Sequence, residues 1–169
     1  MPQVGGHRVQ SRVPGSGAAL HELLTIPPIS IKNIRMGEKI THKIAIIDDD
    51  PVTRTMLARI LDREDLKIMQ ASDGQEGWDM IQREVPDLVI SDMLIARIDG
   101  LDLCRKIKRD PILKLVKVIL ISAIYKGFHH RAEIRESQAD DFIEKLIQAK
   151  VLKEKVDRLL LEADKSIEP

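Results

Sequence analysis

A single cysteine in 169 residues, Cys104, leaves no partner for an internal disulfide and no thiolate set for a cysteine-rich metal site. Excess charge of either sign is missing too. Lys and Arg total 27, as do Asp and Glu, so no overall field draws the chain to nucleic acid or an anionic membrane. Residues 1–42 hold five Lys/Arg against two Asp/Glu, an asymmetry too small to support a nucleic-acid role. No apolar run approaches the length of a membrane span. The N-terminus lacks a signal-peptide core, because Gly, Pro, Arg and His interrupt it throughout, so a cytoplasmic location is expected. No strand-like run leads into a GxGxxG or GxxxxGK loop, which argues against a dinucleotide enzyme or a nucleoside triphosphatase.

What is present suits an ordinary globular protein: 43% hydrophobic, 32% charged, and long enough for one domain with a tail. Residues 1–19 are rich in Gly, Pro and Ser and are read as disordered. An apolar patch follows (Leu20, Leu23, Leu24, Ile26, Ile29, Ile31, Ile34), but Pro27-Pro28 argues against a central strand. Residues 1–42 are therefore expected to form a disordered or irregular extension. Met36 is a candidate second translation start, an idea that mass spectrometry finding an intact residue 1 would exclude.

From Lys43 the pattern is regular. Strands are expected at 43–48, 66–70, 88–90, 116–121 and 139–144. Between them lie helices over about 51–63, from Gly74, over 101–109 and over 127–137, with a last one over 147–163. Met56, Leu57, Ile60 and Leu61 make an apolar stripe on the first helix, and Trp78, Met80 and Ile81 turn inward on the second. Cys104, beside Leu103, packs as a small hydrophobe. Alternating strands and helices imply a parallel α/β sheet covered on both faces. The domain is expected over 43–163, with a short tail at 164–169.

Lys43 to Arg54, KIAIIDDDPVTR, organises the rest. An apolar run suited to a buried strand stops at Asp48, Asp49 and Asp50, and Pro51 then opens a helix. Asp50 suits a helix cap. Asp48 and Asp49 would repel each other unless a cation or donors offset them, and carboxylate oxygens suit magnesium or calcium. Other strands end on Asp92, Ser122 and Lys145. In an open parallel sheet these ends share one edge, so the groups converge on one crevice. Carboxylates there can hold a hard cation, a hydroxyl can donate to a phosphoryl oxygen, and an ammonium can neutralise one. A carboxylate beside the metal can then accept a phosphoryl group.

Residues 43 to about 162 resemble the receiver domain of bacterial two-component response regulators. The matching segments are IIDDDPVTR, PDLVISDMLIARIDG, VILISA and ADDFIEK. The resemblance implies a flavodoxin-like, doubly wound five-stranded sheet of order 2-1-3-4-5. It makes Asp92 the phosphoacceptor, seven residues before Asp99-Gly100. Asp48, Asp49, Asp92 and the Leu94 carbonyl become magnesium ligands. Ser122 and Phe142 fill the two switch positions, and Lys145 is the phosphate-sensing lysine. Such a protein is a phosphoacceptor that assists its own phosphoryl transfer and hydrolysis rather than an enzyme. It receives phosphate from a sensor histidine kinase or histidine phosphotransfer protein and acts on a downstream protein target, with no direct nucleic acid or membrane contact. Homodimerisation through helix 127–137, strand 139–144 and the last helix is a further expectation.

Departures from the family pattern carry their own expectations. Ala96 stands in place of a proline, loosening the loop after Asp92. Leu146 replaces the proline after the lysine, so a trans peptide and a shifted loop are expected there. Leu94 and Ile124 are apolar where polar side chains help orient an attacking water, which predicts slow self-dephosphorylation. The paired His129-His130 are not assigned as phosphorylated. Two other readings compete. The chain could be an unphosphorylated receiver-like scaffold. The run DDDPV also matches the first motif of haloacid-dehalogenase-type phosphatases, with Asp48 as nucleophile and Asp50 as acid/base, although that leaves Asp92 and Asp99-Gly100 unexplained.

Overall fold

The computed structural model describes residues 41–123 and 135–165. The N-terminal extension up to residue 40 with Met36, Ile124, His129-His130, most of helix 127–137, and residues 166–169 lie outside the described residues. Nine elements follow in order: β1 (His42–Ile47), α1 (Pro51–Ile60), β2 (Leu66–Ala71), α2 (Gly74–Glu84), β3 (Leu88–Asp92), α3 (Gly100–Arg109), β4 (Lys117–Ser122), β5 (Asp141–Glu144) and α4 (Ala149–Lys165). The described strands form one parallel sheet of order β2-β1-β3-β4-β5, as expected. Residues 135–137 are also helical.

Successive side chains on a strand point to opposite faces, so each strand feeds two cores. Ile44, Ile46, Leu88, Ile90, Ile119 and Ile121 pack under α1 and α4, against Leu57, Leu61, Leu152, Val156 and Leu159. Ala45, Ile47, Val89, Val118 and Leu120 pack under α2 and α3, against Met80, Ile81, Leu103, Cys104 and Ile107. Burying one such aliphatic side chain is worth about 1.5–3 kcal/mol, so both layers are strongly favoured. The continuous apolar runs in the sequence follow directly from this double coverage.

Strands apolar on both faces do not fix their own register, and polar groups at their entry ends help to do so. Asp87 accepts the Lys43 amide at 2.8 Å, while Lys43 Nζ donates to the Glu84 carbonyl. Asp140 accepts the Val118 amide at 2.8 Å and the Lys108 ammonium at 2.6 Å. The Asp140 amide in turn donates to the Val118 carbonyl at 2.9 Å, and β5 begins at Asp141 rather than at 139.

Other expectations shift by a residue or two. β1 stops before Asp48, α1 is capped at Leu61, and α4 runs from 149 to 165. Met56 is 37% exposed instead of packed; Leu57 and Leu61, with the partly buried Ala58 and Ile60, face the core from α1. Trp78 is half-buried, with Lys106 Nζ 4.4 Å from its ring centre. Cys104 is fully buried as expected; burial pushes its thiol up to about 11, against a hydrogen bond to the Ser137 carbonyl.

Candidate functional site

The acidic turn after β1 divides its carboxylates by task. Asp50 caps α1: its Oδ1 accepts the Val52 amide, and its Oδ2 accepts the Thr53 amide and, at 2.6 Å, the Thr53 hydroxyl. The hydroxyl bond and then the two amides hold its carboxyl below the usual range. Arg54, one turn into the helix, reaches back to donate to the Asp48 carbonyl at 2.6 Å. That brace was missed in the sequence, although an arginine four residues beyond a capping aspartate is positioned to make it.

Asp48 is fully buried, Asp92 is 6% exposed and Asp49 faces solvent. One carboxylate oxygen from each lies within 4.8 Å of the other two. Lys145, just past β5, places Nζ 2.7 Å from Asp92 Oδ2 and 3.8 Å from Asp48 Oδ2. The expected convergence of Asp48, Asp49, Asp92 and Lys145 is therefore present. Ser122 closes β4, is nearly buried, and accepts the Lys145 amide on its carbonyl at 2.8 Å. Leu94 follows in the loop, with its amide 3.4 Å from Asp92 Oδ1 and its side chain 62% exposed. Phe142 stands apart from this group, opposite Leu120 on β5 and 39% exposed.

The electrostatics identify what the crevice takes. Asp48 Oδ1 accepts the Asp50 amide, but Oδ2 is buried without a hydrogen-bond partner among the described residues. Burial pushes this carboxyl above its ordinary range; the Asp50 amide and Lys145 oppose that, while Asp92 and Asp49 add repulsion. Leaving such a buried acceptor unsatisfied costs roughly 1–3 kcal/mol, more for a charged group. Burial also works against the Lys145 ammonium, yet its bond to Asp92 and the fields of Asp92, Asp48 and Asp49 hold it above its ordinary range. One ammonium cannot balance three carboxylates. An orphaned buried oxygen in an all-oxygen donor set fits a hard divalent cation.

Two backbone features fix Asp92. Asp99 caps α3 by accepting the Asp102 amide, and the Gly100 amide donates to the Met93 carbonyl at 2.9 Å. A Cβ on Gly100 would stand 2.1 Å from the Asp92 carbonyl oxygen, so only glycine lets α3 start this close to the acid. The other feature corrects an expectation: the Lys145–Leu146 peptide is cis, not trans. Lys145 is held at its amide by Ser122 and at its ammonium by Asp92. These long-range contacts fix Lys145, whereas the trans expectation rested on local preference alone. With leucine at the next position, Lys145 still meets Asp92.

Residues 44–157 match the family model of the response regulator receiver domain. The chain belongs to that family. Over 117 residues this receiver is 31% identical to the transcriptional regulatory protein AfsQ1 of Streptomyces coelicolor, covering 69% of this chain and 50% of that protein. It is 33% identical over 105 residues to the response regulator PleD of Caulobacter vibrioides, covering 62% and 23% respectively. The solved receiver domain of a signal transduction histidine kinase from Syntrophus aciditrophicus superposes with a TM-score of 0.68 at 34% identity, covering 72% of this chain and 92% of that one. The chain spans about half the length, or less, of these two curated relatives. The phosphatase reading loses its footing, because Asp50, its acid/base, is committed to the cap of α1. Among the described residues no helix is long and apolar enough to cross a membrane.

Proposed function

We propose that Asp92 accepts a phosphoryl group from a phosphohistidine of a sensor histidine kinase or histidine phosphotransfer protein. A carboxylate oxygen of Asp92 attacks phosphorus, the P–N bond to histidine breaks, and an aspartyl phosphate forms. The observation that carries this reading is Asp92 itself, nearly buried and 2.7 Å from the Lys145 ammonium within the acidic triad. Asp48, Asp49, Asp92 and the Leu94 carbonyl would hold magnesium, which when bound supplies charge neutralisation at the phosphoryl oxygens. Lys145 takes one phosphoryl oxygen in place of Asp92 Oδ2, and the Ser122 hydroxyl donates to another.

Movement of Ser122 toward the phosphoryl group frees space for the half-exposed Phe142 to turn inward, and so alters the surface of β5, α4 and the helical residues 135–137. That surface meets a downstream protein target or a second copy of the chain; no direct nucleic acid contact belongs to this reading. A protein donor is supported by the apolar groove of about 560 Å³ along Pro51, Val52, Thr55, Met56, Arg59 and Ile60, beside the acidic turn. The receiver occupies 43–163 in this reading, between an N-terminal extension over 1–42 and a short tail over 164–169, and works in the cytoplasm. Intact-mass measurement after incubation with acetyl phosphate and magnesium tests it. One phosphoryl adduct is expected on the wild-type chain and none on Asp92→Asn. No adduct on either would favour an unphosphorylated scaffold.

A further inference from the structure

A second charged cleft lies away from the acidic crevice. Its volume is about 320 Å³, and Arg97, Ile98, Asp102, Arg105, Lys106 and Arg109 line it. Four cations face one carboxylate there, in a chain whose overall charge is zero. On α3, positions 102, 105, 106 and 109 share one helical face, opposite the buried Leu103, Cys104 and Ile107. Basic residues in a last helical turn are accounted for by the helix dipole, but Arg105 and Arg97 are not. Arg97 comes from the loop after β3 and has φ 71°, a left-handed conformation that a residue with a Cβ rarely takes. Helical side chains lean toward the N-terminus, so those of Arg105, Lys106 and Arg109 are directed back along α3, away from its carbonyl end.

The existing partners of these cations do not consume them. Arg97 is 68% exposed and approaches the partly buried Asp73 through Nε at 3.4 Å, an ion pair weakened by solvent on the arginine side. Arg105 gives one nitrogen to Asp102, leaving the rest of its fork. Guanidinium forks match phosphate oxygens in pairs, and three of the four cations are arginines. Ile98 supplies an apolar wall, and Lys106 sits over the Trp78 ring beside the cleft. We infer that this cleft binds a small ligand bearing two linked phosphates, of the pyrophosphate class, with those phosphates on Arg97, Arg105 and Arg109.

Equilibrium dialysis of the full chain against pyrophosphate, in magnesium-free buffer of low ionic strength, tests the assignment. One saturable site below about 1 mM is expected, weakening as salt is added. The double variant Arg105→Gln/Arg109→Gln should lose at least about tenfold in affinity, while its urea unfolding midpoint stays that of the wild type. Asp92→Asn should bind as the wild type does, which separates this site from the acidic crevice. Emission from Trp78, the single tryptophan, should change with the same midpoint. Absence of saturation to several times that concentration, equal binding by the double variant, or loss of binding in Asp92→Asn would each overturn the inference.

Discussion

Replacing Gly100 by alanine sets two effects of opposite sign against each other. By helix propensity alone, Gly→Ala in α3 should stabilise by up to about 1 kcal/mol. The structure opposes that gain. The new Cβ would lie 2.1 Å from the Asp92 carbonyl oxygen, 2.9 Å from the Met93 Cα and 3.0 Å from the Asp92 carbonyl carbon, and all three are backbone atoms that cannot rotate away. Opening the shortest of these to at least 3.0 Å requires α3 and the end of β3 to separate by most of an ångström. Overpacking of this kind costs about 1–3 kcal/mol, so net destabilisation is expected. The same displacement moves Asp92 relative to Lys145 and Asp48, and an error of about 1 Å at a reacting group can cost on the order of a hundredfold in rate. Urea unfolding with an unchanged m-value, paired with the rate of phosphorylation by acetyl phosphate, reads both effects. A Gly100→Ala variant at least as stable as the wild type and phosphorylated at the same rate would refute the reasoning.

Three further outcomes are expected. Magnesium at about 100 times its Kd should stabilise the wild-type chain by about 2.7 kcal/mol, and thermal unfolding of Asp48→Ala should show almost none of that gain. Burial works against the Asp141 carboxylate, yet bonds from Lys155, the Phe142 amide and Arg158 outweigh it and hold its carboxyl below its ordinary 3.8. A depressed folded value means that this contribution is present above the unfolded value and lost as pH falls through the folded one. Stability of Asp141→Asn should therefore fall less steeply than that of the wild type below about pH 4, as followed by acid titration of the urea midpoint. Finally, Leu94→Asn should shorten the lifetime of the aspartyl phosphate severalfold by giving an attacking water a hydrogen-bond partner, and an unchanged decay would refute the expectation of slow hydrolysis drawn from Leu94.

Much of the fold was legible because both faces of the sheet are covered, which turns each central strand into an unbroken aliphatic run such as Ile44–Ile47 or Val118–Ile121. Asp50 announced a helix start and caps α1 as its position before Pro51 suggested, while Asp73 and Asp99 cap α2 and α3 in the same way. The strand-end acids and Lys145 were legible for a related reason: an abrupt change from aliphatic to charged marks where a buried strand surfaces. What stayed hidden depends on contacts far apart in sequence. Nothing local says that Asp140 will be recruited by Lys108 and Val118, or that Lys145 will be clamped from Ser122 and Asp92 and followed by a cis bond. The approach of Gly74 to the Ile98 carbonyl, which brings the loop after Asp92 against α2, is equally invisible until the chain is folded.

Strand order also distributes mechanical compliance. Asp92 ends β3, which is hydrogen-bonded to β1 on one side and β4 on the other. Lys145 follows β5, which has four residues and, among the described residues, a single neighbour in β4. Shifting β5 breaks one short ladder, whereas shifting β3 breaks two and disturbs both aliphatic layers. The carboxylate is mounted on the stiff middle of the sheet and the ammonium beside it on the soft margin, so the ladder that yields at least cost is the one that carries Lys145.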